Sequence, residues 1–424
     1  MTGLPIKMLL TSAGRRAGLV ESFRRSAERM GMRLELHACD LHPELSAACA
    51  LADQHFTAPP CTHAEYIPAL LDYARQNDIV LVVPTIDTEL QPLATRRADF
   101  AALGIYVHVS SSDVIDIVRD KKRTMDVLAN AGVPVPHTAT LEDFRQCQEG
   151  WKWPLFVKPV AGSASRGVAL IGSPADLKHE YDEPMLVQEA LQGDEYTINI
   201  FVDEGGVMRG AIPHLRISVR AGEVEKGRTV RRADFDAIAR NLAVSLPGAR
   251  GVLCFQLFDD PKLGPRVFEI NARFGGGYPL ADHAGGHFAE NVLRTAIGMP
   301  LVACHDWQDG LPMLRYDSAV FPSFIVSLLI VLDDQFKIYC EILKGATGQE
   351  LKWNELKGSA LERFIIYSEK VCGLKSVCDH IARLDVAAII EIRNCIVHNM
   401  LHLYNNKVYI DDLQINKYTC YNIV

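Results

Sequence analysis

Short apolar runs of strand length alternate with helical patterns through the first hundred residues, and this alternation restricts the fold more than any other feature of the chain. The runs are Lys7 to Thr11, ahead of a helix beginning near Leu19, then Leu34 to Ala38, Ile79 to Pro84 and Tyr106 to Val109. Strands alternating with helices form βαβ units, which implies a parallel sheet. Arg119 to Ala131 reads as a helix stopped by Gly132, and the Val133-Pro134 and Val135-Pro136 pairs suit a hinge into a second domain. Beyond it the pattern is strand-rich: Leu155 to Val160, Val168 to Ile171, Met185 to Gln188, Thr197 to Val202, Val252 to Phe258 and Arg266 to Ile270. This is an α+β region.

After about Tyr316 the composition shifts from Ala, Arg, Gly and Val toward Ile, Lys, Asn, Tyr and Cys. Apolar residues over Phe321 to Leu343, Gly358 to Val371 and Asp385 to Leu403 recur at three and four, the period of a small helical bundle, with strand-like alternation at Lys407 to Ile410. The reading is three domains, 1–118, 119–319 and 320–424, a number that suits 424 residues. With 48% hydrophobic and 23% charged residues and a net charge of −8, the chain reads as soluble and globular, without a general nucleic-acid-coating charge. Its 11 cysteines form no C-x-x-C pair and read as free thiols of a cytoplasmic protein. The apolar run Phe321 to Leu332 falls short of the roughly 20 residues that span a bilayer, so no membrane partner is expected.

Three segments carry chemistry. FVKPVAGSASRGVALI places Lys158 at the end of a strand, before a loop of small residues from Gly162 to Gly167 that includes Ser163 and Ser165. Such a loop lets backbone N–H groups approach phosphate oxygens, with the lysine supplying charge; a hairpin turn explains it equally well. In LVQEALQGDEYTINIF a strand runs into Glu189, Ala190 and Leu191, with Glu195 beyond. Backbone groups there can pair with an adenine edge and the carboxylate with ribose hydroxyls, while ordinary solvated acids are the plainer alternative. Gln256 lies on a later strand, and Glu269 and Asn271 of VFEINARFGGG lie two apart on the next, so their oxygens share a face and can converge on a hard cation. Arg273 follows, placed to meet a transferring phosphoryl group.

The order of these motifs resembles the ATP-grasp superfamily over residues 7–322, nearest to the synthetase halves of the carbamoyl-phosphate synthase large chain and related amino-acid ligases. The resemblance implies a parallel-sheet α/β N-terminal domain and two α+β subdomains clamping ATP. It assigns Lys158 to phosphate, Gly162, Ser163, Ser165 and Gly167 to the phosphate lid, Glu189, Ala190 and Leu191 to the adenine hinge, and Glu195 to ribose. It also assigns Gln256, Glu269 and Asn271 to Mg2+ (or Mn2+) and Arg273 to catalysis. Lys121 in RDKKRT, beside Lys122, resembles the lysine that enters the ATP pocket from before the hinge. Arg216, Arg228 and Arg231 lie where the family often holds a carboxylate or acyl phosphate, or on a solvated basic hairpin. Ser12 to Arg16, Asp40 and Thr85 to Glu89 follow strands of the first domain, the crevice position for a small-molecule carboxylate and its amine acceptor, although loop structure alone also explains them.

In the last domain Arg393, Asn394 and His398 stand in R-N-x-x-x-H on a helical pattern. Arg and His separated by four to six residues is a loose pattern that Arg209 and His214 also meet; Asn directly after Arg sharpens it. With WNELKGSALERF upstream, residues 320–424 resemble the HEPN family of small all-α bundles. That resemblance implies a homodimer cleaving RNA without metal, His398 moving the proton and Arg393 steadying the phosphorane, with Asn394 orienting the imidazole. The resulting expectation is an ATP-grasp ligase or nucleotide sensor fused to a HEPN endoribonuclease, as in a toxin or antiviral defence effector. The alternative is a biosynthetic carboxylate-amine ligase whose C-terminal bundle only dimerises it.

Overall fold

The computed structural model describes residues 4–161, 167–220, 222–315 and 421–422. The first sheet contains β1 (Ile6–Thr11), β2 (Leu34–Asp40), β3 (Gln54–Thr57), β4 (Leu81–Pro84) and β5 (Tyr106–Val107). Their order is β3-β2-β1-β4-β5 and every pairing is parallel, the arrangement the strand–helix alternation implies. Met8, Leu9 and Leu10 are all fully buried because helices cover both faces, which is why the centre of β1 is three consecutive apolar residues. The strand order reverses between β1 and β4, so the loops after these two strands lie side by side at their carboxyl ends. Thr85 Oγ1 donates to the Ser12 carbonyl at 2.6 Å and ties them together.

Helix α1 (Ala17–Arg29) fastens this sheet to the rest of the described fold. Arg25 and Arg29 reach the fully buried Asp282 carboxylate at 2.8 and 3.3 Å, and Arg29 also meets Glu290 at 3.0 Å. The helix expected over Arg119 to Ala131 is found at Lys121–Asn130, and a further helix that was not expected, Ser112–Arg119, precedes it. Asp120 separates them: its backbone is extended, and its carboxylate accepts from Arg123 N at 3.0 Å as an N-cap.

The second sheet is antiparallel, with β6 (Thr138–Thr140), β7 (Leu155–Pro159), β8 (Ala169–Ile171) and β9 (Met185–Glu189) in the order β6-β9-β7-β8. It carries its own small core around Phe144, Leu155, Val157 and Val187. The third sheet has β10 (Asp194–Val202), β11 (Met208–Arg220), β12 (Glu223–Thr229), β13 (Gly251–Asp260), β14 (Gly264–Asn271), β15 (Pro312–Arg315) and β16 (Tyr421–Asn422), ordered β14-β13-β10-β11-β12-β15-β16. A hairpin carrying Arg216 and Arg228 was one of the alternatives the sequence left open, and β11–β12 is that hairpin, but the strand Met208–Arg220 itself was not expected. MRGAIPHLRISVR carries Pro213 and several charges, which weaken it as an isolated strand, yet it is paired along both edges by β10 and β12.

Gly162, Ser163 and Ser165 lie outside the described residues, as do the expected bundle over 320–420 and its Arg393, Asn394 and His398. The end of the chain departs from the all-α expectation, because Tyr421–Asn422 pairs antiparallel with β15. Among the described residues, no helix is long and apolar enough to cross a membrane.

Candidate active site

One face of the third sheet is apolar, while the other carries polar side chains around Thr197 and Gln256 before turning apolar at Phe201 and Val252, and the alternation is written in its strands. On β10, Tyr196, Ile198 and Ile200 face a core shared with Phe255, Leu257 and Val267, whereas Glu195, Thr197 and Asn199 alternate with them. Register then assembles the polar face: Gln256 sits opposite Thr197 on β10 and Glu269 on β14, and Asn271 sits opposite Cys254. Gln256, Glu269 and Asn271 are thereby neighbours on one face, as their spacing implied. One irregularity was not legible. Leu257 pairs with Val267 and Gln256 with Glu269, so Phe268 is a bulge. The extra residue lets Val267 enter the core while Glu269, two positions on, serves the polar face.

The bulge also meets Lys158, at the end of β7. Its ammonium donates to the Phe268 carbonyl at 3.4 Å, lies 5.6 Å from the Phe268 ring centroid, and is only 5% exposed as a residue. Burial pushes its pKa down to about 8, with Glu269 opposing the fall and Lys121 adding to it. Lys121 opens its helix, and its backbone N–H donates to Val160 O at 3.2 Å, which sets it next to the end of β7. Burial lowers its pKa as well, against the pull of Glu269. Lys122 instead faces outward and pairs with Asp126 at 2.6 Å. Of the two adjacent lysines, Lys121 is the one in the site.

Arg273 is gripped from the first sheet. Its Nε and Nη2 donate to the two Asp87 carboxylate oxygens at 3.0 and 2.6 Å, Nη2 also donates to Asn271 Oδ1 at 3.1 Å, and Nη1 to Phe274 O at 3.2 Å. Burial acts against the Arg273 charge, but the Asp87 carboxylate more than offsets it and holds the guanidinium above its usual pKa. Two recesses meet here. One is lined by Asp87, Lys121, Phe268 and Glu269, the other by Arg16, Thr197, Arg216, Glu223, Gln256 and Arg273, and Asn271 lines both.

The donor set suits Mg2+ held jointly with phosphate. It offers one carboxylate and two amide oxygens, hard ligands too few for a dedicated cage but enough for an ion that takes its remaining ligands from phosphates and water. The half-buried Lys121 lines the recess and the buried Lys158 stands next to it, both with lowered pKa, an environment suited to an anion.

Other expected residues fall into distinct groups. Glu189, Ala190 and Leu191 are half-buried at the end of β9, where Glu189 N donates to His137 O at 3.0 Å. Glu195 lies 2.9 Å from Arg216 Nε; burial raises its pKa and Arg216 opposes the rise. Arg216 is thus an interior residue, its side chain 6% exposed, not part of a solvated hairpin. Arg228 is exposed, and Arg231 stacks on Trp307 with 4.0 Å to the ring centroid, so neither joins this face. Within the first-domain loops, Arg16 and Asp87 reach the site. Asp40 and Glu89 shape the backbone instead: Asp40 accepts from Gly14 N at 2.7 Å, and the fully buried Glu89 accepts from Thr85 N at 2.7 Å and Ser12 Oγ at 2.9 Å.

Sequence reasoning missed Glu223 and the tightness of the Gly275–Gly277 run. Glu223 is one acid among several in a charged hairpin, with no local signal. The glycines could have been read as a place of close approach. A Cβ at Gly276 would sit 2.8 Å from the Glu223 carboxyl carbon, and one at Gly277 2.6 Å from His214 Nε2 and 2.7 Å from Val224. His214 is fully buried, and burial lowers its pKa to about 3, so it is a neutral, fixed wall. Gly277→Ala is therefore expected to destabilise the fold by about 1–3 kcal/mol, the usual consequence of overpacking, measured by urea unfolding. Unchanged stability would show that this wall yields.

Residues 8–108 match the family described as PylC-like, N-terminal domain, and residues 118–277 match the ATP-grasp domain family. A 3-methyl-D-ornithine–L-lysine ligase of Methanosarcina barkeri is 30% identical over 162 residues, which is 37% of this chain and 40% of that protein. A D-alanine–D-alanine ligase of Stutzerimonas stutzeri is 33% identical over 97 residues, 21% of this chain and 31% of that one. The chain thus spans less than half the length of either of these relatives. Among solved structures, the biotin carboxylase of Campylobacter jejuni superposes with a TM-score of 0.59 at 16% identity, over 73% of this chain and 75% of that one. The N5-carboxyaminoimidazole ribonucleotide synthetase of Thermotoga maritima gives 0.54 at 19% identity, over 73% and 80%. The parallel first sheet, the two antiparallel sheets behind it and these matches agree: the chain carries a PylC-like N-terminal domain followed by an ATP-grasp domain.

Proposed function

We propose that residues 1–319 are an ATP- and Mg2+-dependent ligase that activates a small carboxylate by phosphorylation and passes it to an amine. The observation that carries this reading is the meeting, at Asn271, of a recess lined by Lys121 with one lined by Arg16, Arg216 and Arg273. ATP with Mg2+ supplies the phosphoryl group and the charge neutralisation that such a transfer requires. Lys121 in the first recess and Lys158 beside it hold phosphate charge, with Glu189, Ala190, Leu191 and Glu195 on the nucleoside side. Gln256, Glu269 and Asn271 provide the oxygen ligands. Arg16 and Arg216 orient an acid in the second recess, and Arg273 meets the charge that moves between the two. The ligases among the matched relatives join a carboxyl to an amine by name, which agrees with this assignment.

For residues 320–424 the R-N-x-x-x-H motif supports a second reading, a dimeric metal-independent ribonuclease built on Arg393, Asn394 and His398. Its rival is a bundle that only dimerises a biosynthetic ligase. One experiment on the full chain separates them: ADP release with Mg2+ against a panel of amino acids, beside cleavage of total RNA in EDTA. Acid-dependent ADP release establishes the ligase. RNA cleavage that disappears in His398→Ala establishes the nuclease, and its absence from the parental chain leaves the dimerising bundle. Saturating ATP should also stabilise the protein by about 2.7 kcal/mol at a hundredfold excess over Kd. No thermal shift at millimolar ATP would overturn the nucleotide site, and a shift without turnover on any acid would leave a sensor.

A further inference from the structure

The bidentate Asp87–Arg273 pair joins residues 186 positions apart, and both side chains are largely covered, 14% and 13% exposed. Asp87 stands on a rigid support. The turn that bears it is pinned by Glu89, which accepts from Thr85 N, from Ile86 N at 3.1 Å, from Ser12 Oγ and, by a short bond, from the Tyr66 hydroxyl. Thr85 in turn is tied to Ser12 after β1. A guanidinium has five N–H groups. Four of the five on Arg273 are engaged by Asp87, Asn271 and Phe274, which leaves one on Nη1. Asp87 lines the lysine recess and Arg273 the arginine recess, so the pair stands at the boundary between them.

We infer that Asp87 is a positioning residue for phosphoryl transfer: it fixes the Arg273 guanidinium in one orientation, with a single Nη1–H directed to the developing charge. The first domain thereby takes part in the chemical step as well as in substrate binding. This rests on the reading of Arg273 as the group that meets the transferring phosphoryl. Without the carboxylate, Arg273 retains its charge and its bonds to Asn271 and Phe274 O but loses the bidentate pair that holds its Nε–Nη2 edge. A loosely held donor contributes far less to a transition state than a preorganised one.

The test uses the full chain and reads binding, not turnover. MgADP and MgADP with aluminium fluoride, a mimic of the phosphoryl group in flight, are titrated calorimetrically into the parental protein, Asp87→Asn, Asp87→Glu and Arg273→Gln. The quantity compared is the tightening that fluoride brings over MgADP alone. Asp87→Asn and Arg273→Gln are each expected to lose about tenfold or more of it, as on removal of an oriented donor. Asp87→Glu, which keeps the charge but displaces it by a methylene, should fall between parental and Asn, whereas a merely structural ion pair would be restored by Glu. Full tightening in Asp87→Asn with loss in Arg273→Gln would overturn the positioning role alone. Full tightening in both would overturn the role of Arg273 and, with it, this inference. If Asp87→Asn fails to fold, the Glu variant decides: parental tightening there refutes the proposal.

Discussion

Lys158→Met is expected to make the protein more stable and unable to bind ATP. Lysine and methionine have unbranched side chains of similar length, so the thioether follows the channel that Lys158 occupies. What changes is the charge. The ammonium is almost wholly buried, and burial has lowered its pKa to about 8 from 10.5. Holding the proton at pH 7 therefore costs about 3 kcal/mol of folding stability. The sign follows from proton counting. Between about pH 8 and 10.5 the unfolded chain binds more protons at this position than the folded one, so the contribution of Lys158 to stability rises with pH across that window and is most unfavourable below it. The methionine variant should lack this slope and melt several degrees higher near neutral pH. Phosphate charge would favour the ammonium, so ATP affinity in the parental protein should fall as pH rises through about 8, with proton uptake on binding above that pH. Denaturation from pH 6.5 to 10, beside calorimetry in buffers of different ionisation heat, reads all of this. A variant less stable than the parent, or one that still binds ATP with parental affinity, would show that the buried ammonium is structural.

The second large effect belongs to Glu269→Gln. Glu269 is the only carboxylate in the donor set with Gln256 and Asn271, and it faces Lys121, Lys158 and Arg273 electrostatically. Glutamine preserves shape and the β13–β14 ladder while removing the charge. Magnesium-dependent ATP turnover should drop by about 10²- to 10³-fold, the scale of losing a preorganised electrostatic group. A second consequence compounds it. Glu269 opposes the fall in the Lys158 pKa, so its removal lets that pKa drop below about 8 and reduces the fraction of protonated lysine at neutral pH. Stability should stay within about 1 kcal/mol of parental, since the residue is half-exposed and its packing is kept. Parental turnover in a folded Gln variant would remove Glu269 from the metal site.

What could be read from sequence was short-range. The parallel first sheet followed from runs such as Leu34 to Ala38 set among helical patterns. The polar face of β10 is visible in the alternation of Glu195, Thr197 and Asn199 with Tyr196, Ile198 and Ile200. Glu269 and Asn271 share a face because they are two apart on one strand, which holds wherever that strand is placed. Local rules failed at β11, where pairing on both edges overrides Pro213 and the charges beside it.

By itself the sequence determined which residues alternate, which loops follow strands and which donor types are present, because those depend on backbone periodicity and side-chain chemistry alone. Tertiary structure decided which of them meet. It chose Lys121 over Lys122 by packing the start of one helix against the end of β7, and drew Arg216 inward to Glu195 while leaving Arg228 outside. It bulged β14 at Phe268, so that Glu269 and Val267 serve opposite faces. It also closed Asp87 on Arg273. Each of these depends on strand register and on how one sheet approaches another, and no window of neighbouring residues contains that information.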